Sequence, residues 1–141
     1  MTKRIHKIIK HSQKITLLIV EDNPVQMDLY RKQFLARGLD INLVEAHNGY
    51  EGMIKIGQYQ PTIIITDLMM PGTDGFQMLV ALKNTQALKN TLIIAVSALS
   101  LDEAKRMGEI PEGVLFYSKP IPFDTLEQVI LKKIIKNEQV I

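Results

Sequence analysis

The chain has 141 residues, of which 46% are hydrophobic and 23% are charged, a composition typical of one globular domain and not of a disordered chain. It contains no cysteine, which excludes disulfide bonds and thiolate metal sites and favours a cytoplasmic location. No apolar run reaches the ~18 residues of a membrane span, and no apolar core follows the basic N-terminal residues as it would in a secretory signal.

The first 14 residues form a basic leader. They carry five of the 17 basic side chains and no acid, which leaves 12 basic against 15 acidic residues in the rest of the chain. The five are Lys3, Arg4, Lys7, Lys10 and Lys14. We interpret the leader as a flexible arm, with a short amphipathic docking helix presenting Ile5, Ile8 and Ile9 as the alternative. The net charge of +2 reflects this leader, so direct nucleic-acid binding is not expected.

Five apolar runs, most of them rich in β-branched residues, predict the strands of a sheet. They span residues 15–20, 41–45, 62–66, 91–97 and 114–117. The second run is more polar and is predicted to be an edge strand. A helical stretch follows each run and opens with a capping residue three positions before a Glu or Gln, which predicts a capping box. The pairs are Asn23–Gln26, Asn48–Glu51, Asp74–Gln77, Ser100–Glu103 and Asp124–Glu127.

Strand alternating with helix five times predicts an α/β fold with three layers, αβα, around a doubly wound parallel sheet. Five strands favour the flavodoxin-like order 2-1-3-4-5, whose ligand site lies at the switch between the first and third strands. We assign residues 15–137 to this domain and residues 138–141 to a C-terminal tail. Met27, Tyr30 and Phe34 define the expected buried face of the first helix.

Polar residues follow four of the strands at the sheet edge where parallel strands end together. Glu21 and Asp22 follow the first strand, Asp67 follows the third, Ser97 ends the fourth and Lys119 follows the fifth. Three carboxylates in one cleft repel one another unless a cation joins them, and an all-oxygen set suits Mg²⁺, with Mn²⁺ possible. The lysine and the serine suit a phosphoryl group. The pattern therefore predicts transfer of a phosphoryl group to the carboxylate of Asp67.

These residues resemble the receiver domain of two-component response regulators, the CheY-like family. The resemblance covers about residues 15–137. It is carried by Glu21-Asp22, Asp67 with Met70-Pro71-Gly72-x-Asp74-Gly75, Ser97-Ala98 and Lys119-Pro120.

The resemblance implies that Asp67 is the phosphoacceptor of a phosphorelay and that its donor is a sensor histidine kinase or a histidine phosphotransfer protein. It implies Mg²⁺ bound by Asp22, Asp67 and the backbone carbonyl of Met69, with Glu21 acting through a water. Ser97 and Phe116 are the expected switch residues and Lys119 the expected salt-bridge partner, with a cis Lys119–Pro120 bond. Tyr117 points to the other face of the strand by alternation and has the weaker claim as switch residue. A downstream protein is expected on the face of the fourth helix, fifth strand and fifth helix.

The sequence departs from the usual pattern of the family at two places. Met69 and Leu99 are apolar at positions that influence phosphoryl lifetime in the family, and they predict slow self-dephosphorylation. Residues 107–113, with one proline and two glycines, predict a short or mobile fourth helix.

Three other interpretations compete with a stand-alone, non-enzymatic regulator. The chain could be the receiver module of a longer transcription regulator, enzyme or hybrid kinase. An aspartyl-phosphate phosphatase would need a second Asp where Met69 stands. A nucleotide or flavin binder would need a phosphate-binding loop where Glu21-Asp22-Asn23-Pro24 stands.

Overall fold

The computed structural model describes residues 14–139 and contains ten main elements in alternating order. The strands are β1 (Ile15–Val20), β2 (Ile41–Ala46), β3 (Ile63–Asp67), β4 (Leu92–Ser97) and β5 (Leu115–Ser118). The helices are α1 (Pro24–Ala36), α2 (Gly49–Tyr59), α3 (Gly75–Lys83), α4 (Leu101–Met107) and α5 (Phe123–Gln139). A two-residue antiparallel ribbon, Met69–Met70 with Thr73–Asp74, connects β3 to α3, and a 3₁₀ turn, Gln86–Leu88, precedes β4.

The five strands form one parallel sheet in the order β2-β1-β3-β4-β5. This order confirms the predicted flavodoxin-like fold, and β2 is an edge strand as predicted. The strand bounds differ from the prediction by a residue at some ends; in particular β3 runs one residue later and includes Asp67. That residue is therefore hydrogen-bonded into the sheet and does not merely follow it.

Each face of the sheet packs against its own apolar core. Met27, Tyr30 and Phe34 of α1 are buried on one face, as predicted, together with Leu126 and Ile130 of α5. The other face packs against α2 and α3 through residues that include Ile56, Leu79 and Leu82. Because β3 lies between these layers, none of its side chains is exposed. The strand is thus a fixed support for its last residue.

The helix starts only partly follow the predicted capping boxes. Ser100 and Glu103 form the reciprocal pair. Asn23, Asn48 and Asp74 accept hydrogen bonds from the first-turn amides of their helices, but their Gln or Glu partners do not return them. The prediction for Asp124 is wrong: α5 begins at Phe123, so Asp124 lies in its first turn and its carboxylate binds Arg37 at 2.8 Å.

Helix α4 has seven residues, which confirms the prediction of a short fourth helix. Helix α5 continues to Gln139, through the first two residues of the predicted tail. The proposed flexible or amphipathic leader lies outside the described residues except for Lys14. No helix within residues 14–139 is long and apolar enough to cross a membrane.

Candidate functional site

Asp67 lies at the carboxyl end of β3, in the middle of the sheet. Thr66 pairs with Val20 of β1, and Asp67 pairs with Val96 of β4. The residue is only 6% exposed. Neighbouring strands therefore hold the backbone of Thr66 on both sides and that of Asp67 on the β4 side, at the carboxyl end of the sheet.

Two further carboxylates meet Asp67 at this end. Glu21 and Asp22 follow β1, and one oxygen of each lies within 4.8 Å of the others and of an Asp67 oxygen. Glu21 and Asp67 are buried, whereas Asp22 is exposed at the mouth of the cluster. A donor set of three carboxylates with one open side fits Mg²⁺, which prefers oxygen ligands and retains several waters. The residues predicted for the metal site thus lie together.

Lys119 approaches the cluster from the end of β5. Its Nζ donates a hydrogen bond to Oδ2 of Asp67 at 3.0 Å and lies 3.7 Å from Oε2 of Glu21. The Lys119–Pro120 peptide bond is cis, as expected. The ammonium therefore offsets part of the charge of two buried carboxylates, and it lies where it could contact a group attached to Asp67.

Burial raises the pKa of Glu21 from 4.5 to about 6. The backbone N–H of Asn23, which donates to Glu21 Oε1 at 3.1 Å, opposes the rise, while the charge of Asp67 adds to it and that of Lys119 opposes it. Burial also raises the pKa of the Tyr30 hydroxyl, and the negative charges of Glu21 and Asp67 contribute. Glu21 therefore retains its proton to a higher pH than a solvated glutamate does, mainly because it is buried.

The loop after β3 holds the carboxylate of Asp67 in one orientation. The backbone N–H of Met69 donates to Asp67 Oδ1 at 3.0 Å. Met69 also pairs with Asp74 in the ribbon, and Asp74 accepts hydrogen bonds from the first amides of α3. The ribbon turns through Gly72, whose φ of 71° lies in the left-handed region that glycine adopts readily. The structure therefore places Met69 beside the carboxylate, while its predicted role as a carbonyl ligand stays a prediction.

Ser97 and Phe116, the two predicted switch residues, occupy the neighbouring strands β4 and β5. Ser97 is fully buried. Its Oγ accepts a hydrogen bond from the backbone N–H of Leu99 at 3.1 Å, and its backbone carbonyl accepts one from the backbone N–H of Lys119 at 2.7 Å. Phe116 is half-buried against the α2–α3 core, and Tyr117 packs on the opposite face, as its alternation predicted. A change at Lys119 can therefore reach both strands through direct contacts.

Sequence reasoning missed two contributors to the site. Asn23 was identified only as a helix cap, yet its backbone N–H binds Glu21 while its side chain caps α1. Tyr30 was identified only as a core residue. Helical periodicity contains no signal that the charges of Glu21 and Asp67 raise the pKa of its hydroxyl.

Comparison with known proteins gives a consistent set of matches. A sequence model described as the response regulator receiver domain matches residues 17–131. The gliding motility regulatory protein of Myxococcus xanthus is 31% identical over 97 residues, which are 69% of this chain and 12% of that protein. Protein PilG of Pseudomonas aeruginosa is 28% identical over 119 residues, 83% of this chain and 85% of that protein. The signal receiver domain of a DNA-binding response regulator from Colwellia psychrerythraea has a TM-score of 0.72 at 27% identity, covering 84% of this chain and 97% of that one.

Proposed function

The chain belongs to the response regulator receiver domain family, and from this we propose that it is a phosphorylation-controlled switch whose phosphoacceptor is Asp67. Receiver domains are signalling modules and not conventional enzymes. The proposed donor is the phosphorylated histidine of a sensor kinase or of a phosphotransfer protein.

One observation carries the proposal: Lys119 Nζ lies 3.0 Å from Asp67 Oδ2 within a cluster of three carboxylates. In the transfer, an oxygen of the Asp67 carboxylate attacks phosphorus as the bond from phosphorus to the histidine nitrogen breaks. The other ring nitrogen of the phosphohistidine carries a proton, so the ring leaves as neutral imidazole with the electron pair of that bond, and no side chain of this protein needs to donate a proton. Lys119 then neutralises charge on the phosphoryl oxygens, which is the main requirement for catalysis of phosphoryl transfer.

The residues at the mouth of the site would hold Mg²⁺. Asp22, Asp67 and the backbone carbonyl of Met69 are the proposed ligands, with Glu21 acting through a water. When bound, the metal would supply positive charge to the phosphoryl oxygens and relieve repulsion among the carboxylates. The exposed position of Asp22 supports this assignment, because a hydrated cation needs an open side.

Phosphorylation would act by shifting a population of conformations. We expect the phosphoryl group to draw Lys119 and the hydroxyl of Ser97 toward itself, with Phe116 repacking in response. The proposed readout is the face formed by α4, β5 and α5, on which a downstream protein would bind. The half-buried environment of Phe116 supports this, since a side chain with one solvated side can change rotamer without opening the core.

We favour a stand-alone regulator over a module of a longer protein. PilG supports a stand-alone regulator, because the match with this chain covers 85% of the length of PilG. The Myxococcus protein illustrates a module of a longer protein, because the match covers 12% of its length. The mass of the native protein, measured from its own cells, distinguishes the two.

Phosphorylation can be tested with acetyl phosphate. The protein is incubated with this donor and Mg²⁺, and its intact mass is measured beside that of Asp67→Ala. We expect the mass of one phosphoryl group on the wild type, none on the variant, and none when EDTA removes the metal. Labelling that persists in Asp67→Ala would refute the assignment, and release of phosphate from a simple phosphomonoester would favour the phosphatase instead.

A further inference from the structure

A polar cleft lies at the amino end of β4, between the start of that strand and the last turns of α5. It has a volume of about 500 Å³, which is within the usual size range of small-molecule sites. Residues 89–92 form one wall, and the other wall consists of Lys133, Lys136 and Asn137. Among the described residues, none that lines the cleft belongs to α4 or β5. The cleft is therefore separate from the face proposed above for a downstream protein.

The cleft is also separate from the carboxylate cluster. In the pairing of β3 with β4, Leu92 lies opposite Ile63 and Val96 lies opposite Asp67. Leu92 lines the cleft, so the cleft lies four residues along the sheet from Asp67, roughly 13 Å away at the spacing of strand residues. A ligand bound here would not contact the proposed phosphoacceptor.

Three lysines from two separate elements converge on this cleft. Lys89 follows the 3₁₀ turn, and Lys133 and Lys136 belong to α5. None of the three forms an ion pair with a carboxylate among residues 14–139. Beyond the basic leader the chain carries 12 basic against 15 acidic side chains, so this positive charge is local and is not a general property of the domain.

The fold holds one of these lysines at the wall of the cleft. Lys133 Nζ donates a hydrogen bond to the backbone carbonyl of Asn90 at 2.8 Å, which joins α5 to the turn before β4. An ammonium has three N–H groups, so further donors remain for a ligand. Burial lowers the pKa of Lys133, and the charge of Lys136 lowers it further. A bound anion would offset both effects.

The dipole of α5 explains only part of this arrangement. It favours a cation in the last turn of the helix, where Lys136 lies. It does not explain Lys89, which belongs to a different element, or Lys133, which gives up hydration by being partly buried. A ligand with several negative charges explains why the three lysines converge.

The side chains of the cleft favour phosphate as the charged group. A lysine ammonium is a compact charge that suits phosphate oxygens, whereas a planar carboxylate is matched best by the fork of an arginine. The side-chain amides of Asn90 and Asn137 can donate further hydrogen bonds. Thr91 is less suited to this role, because its hydroxyl already donates to the backbone carbonyl of Pro61 at 2.9 Å.

We propose that this cleft binds a small molecule that carries a diphosphate or triphosphate group. The phosphate chain would lie between Lys89 on one wall and Lys133 and Lys136 on the other, and three ammonium groups match the charge of such a chain better than that of a single phosphate. Binding would therefore join α5 to the turn before β4 a second time. This site does not depend on the function proposed above, and failure of acetyl phosphate to label Asp67 would leave it unaffected.

Calorimetry with inorganic tripolyphosphate, ATP and inorganic phosphate tests the proposal. The titrations contain EDTA and no Mg²⁺, so that a metal ion cannot carry phosphate to the carboxylate cluster. We expect tripolyphosphate to bind at least about tenfold more tightly than inorganic phosphate, and more weakly at high salt. NMR chemical-shift changes should appear at residues 89–92 and at Asn137 and should be absent at Asp67. ATP should bind as well as tripolyphosphate, since the two share the triphosphate group, and tighter binding of ATP would show that the nucleoside contributes as well.

Two pairs of substitutions provide a matched comparison. Lys89→Gln with Lys136→Gln removes two charges from the cleft. Lys105→Gln with Lys132→Gln removes the same net charge from positions outside it, and Lys132 lies on the same helix as Lys136. All four side chains are exposed, so folding should be retained. We expect the cleft variant to bind tripolyphosphate at least about tenfold more weakly and the control variant to bind it nearly as the wild type does.

Several outcomes would overturn the proposal. Equal loss of affinity in both double variants would mean that net charge alone attracts the anion. Equal affinities for inorganic phosphate and tripolyphosphate, or no binding of either, would exclude a polyphosphate site. Binding of phosphatidylglycerol vesicles that is lost in the cleft variant, without binding of tripolyphosphate, would identify a membrane surface instead.

Discussion

Replacing Gly75 by alanine should distort the loop that holds Asp67, the proposed phosphoacceptor. Gly75 begins α3, and its backbone lies directly against Leu68, the residue after Asp67. A Cβ at Gly75 would stand 2.3 Å from the carbonyl oxygen of Leu68 and 2.7 Å from its Cα, where ordinary contact begins near 3.4 Å. Both atoms belong to the backbone, so no change of rotamer relieves the clash, and the start of α3 or the Leu68 peptide must move by about 1 Å.

We expect this substitution to lower the free energy of unfolding by about 2 kcal/mol, as overpacking of a close contact commonly does. It should also slow phosphorylation by acetyl phosphate. Movement of Leu68 displaces Asp67 and Met69 on either side of it, and these two residues share the 3.0 Å hydrogen bond that orients the carboxylate. Urea denaturation followed by circular dichroism measures the stability, and the initial labelling rate measures the site.

Gly57→Ala is the matched control. Gly57 lies inside α2 on the exposed side, and a Cβ there would meet nothing within 4 Å. Alanine is the better helix former, so this variant should be more stable than the wild type by about 0.5–1 kcal/mol and should be phosphorylated at the normal rate. If Gly75→Ala is as stable as the wild type, or if both variants shift stability in the same direction, the steric argument is wrong.

Three further predictions concern the site. Because burial raises the pKa of Glu21 above its unfolded value, the contribution of this residue to the free energy of unfolding of the metal-free protein should be most favourable below pH ~4.5 and should fall by on the order of 1 kcal/mol as pH rises through about 6, allowing for screening by water in the cleft. Urea denaturation in EDTA should show that the stability difference between the wild type and Glu21→Gln changes by this amount over that pH range; parallel pH profiles would contradict it. Asp22→Asn should weaken Mg²⁺ binding at least about tenfold by calorimetry, and an unchanged affinity would remove this residue from the proposed ligands. The double variant Met69→Asn, Leu99→Glu should lose its phosphoryl group from Asp67 faster than the wild type, since polar side chains can guide water to phosphorus; equal decay rates would refute this.

The position of the site was predictable because it follows from the ends of strands. Parallel strands end together, so acids after the first and third apolar runs had to lie near each other once those runs were recognised. Their contacts were not predictable. The 3.0 Å contact of Lys119 with Asp67 depends on the course of the chain after β5, and no periodicity encodes that course.

Helix capping shows why a local pattern is not sufficient. The sequence places Glu51 correctly to return a hydrogen bond to the cap of α2, but its carboxylate instead binds Lys55 at 3.1 Å and His47 at 3.3 Å. The carboxylate of Asp124 accepts a hydrogen bond from Arg37, which lies 87 residues earlier in the chain. When a charged side chain has several possible partners, tertiary contacts determine which one it binds, and the spacing of residues within one helix does not reveal those contacts.

The importance of Gly75 was likewise visible in sequence only as part of a motif. The resemblance to a family identified the residue but not the physical cause that requires a glycine there. The cause is the approach of the Leu68 carbonyl, a contact between two backbone segments that no side-chain pattern records. The fold was thus predicted from strand and helix patterns, whereas the close contacts that orient the carboxylate had to be seen.

The burial of the strands indicates which of them we expect to respond if Asp67 is phosphorylated as proposed. Every residue of β3 is buried, and its three isoleucines at 63–65 each contribute roughly 1.5–3 kcal/mol by leaving water. Moving this strand would expose those side chains and break hydrogen bonds to β1 and β4, so it resists displacement. In contrast, β5 lies at the sheet edge and has no fully buried residue. A new charge on Asp67 would therefore be accommodated with the least loss of burial by Lys119 and the strand before it, so we expect β5 to move on phosphorylation while β3 stays fixed.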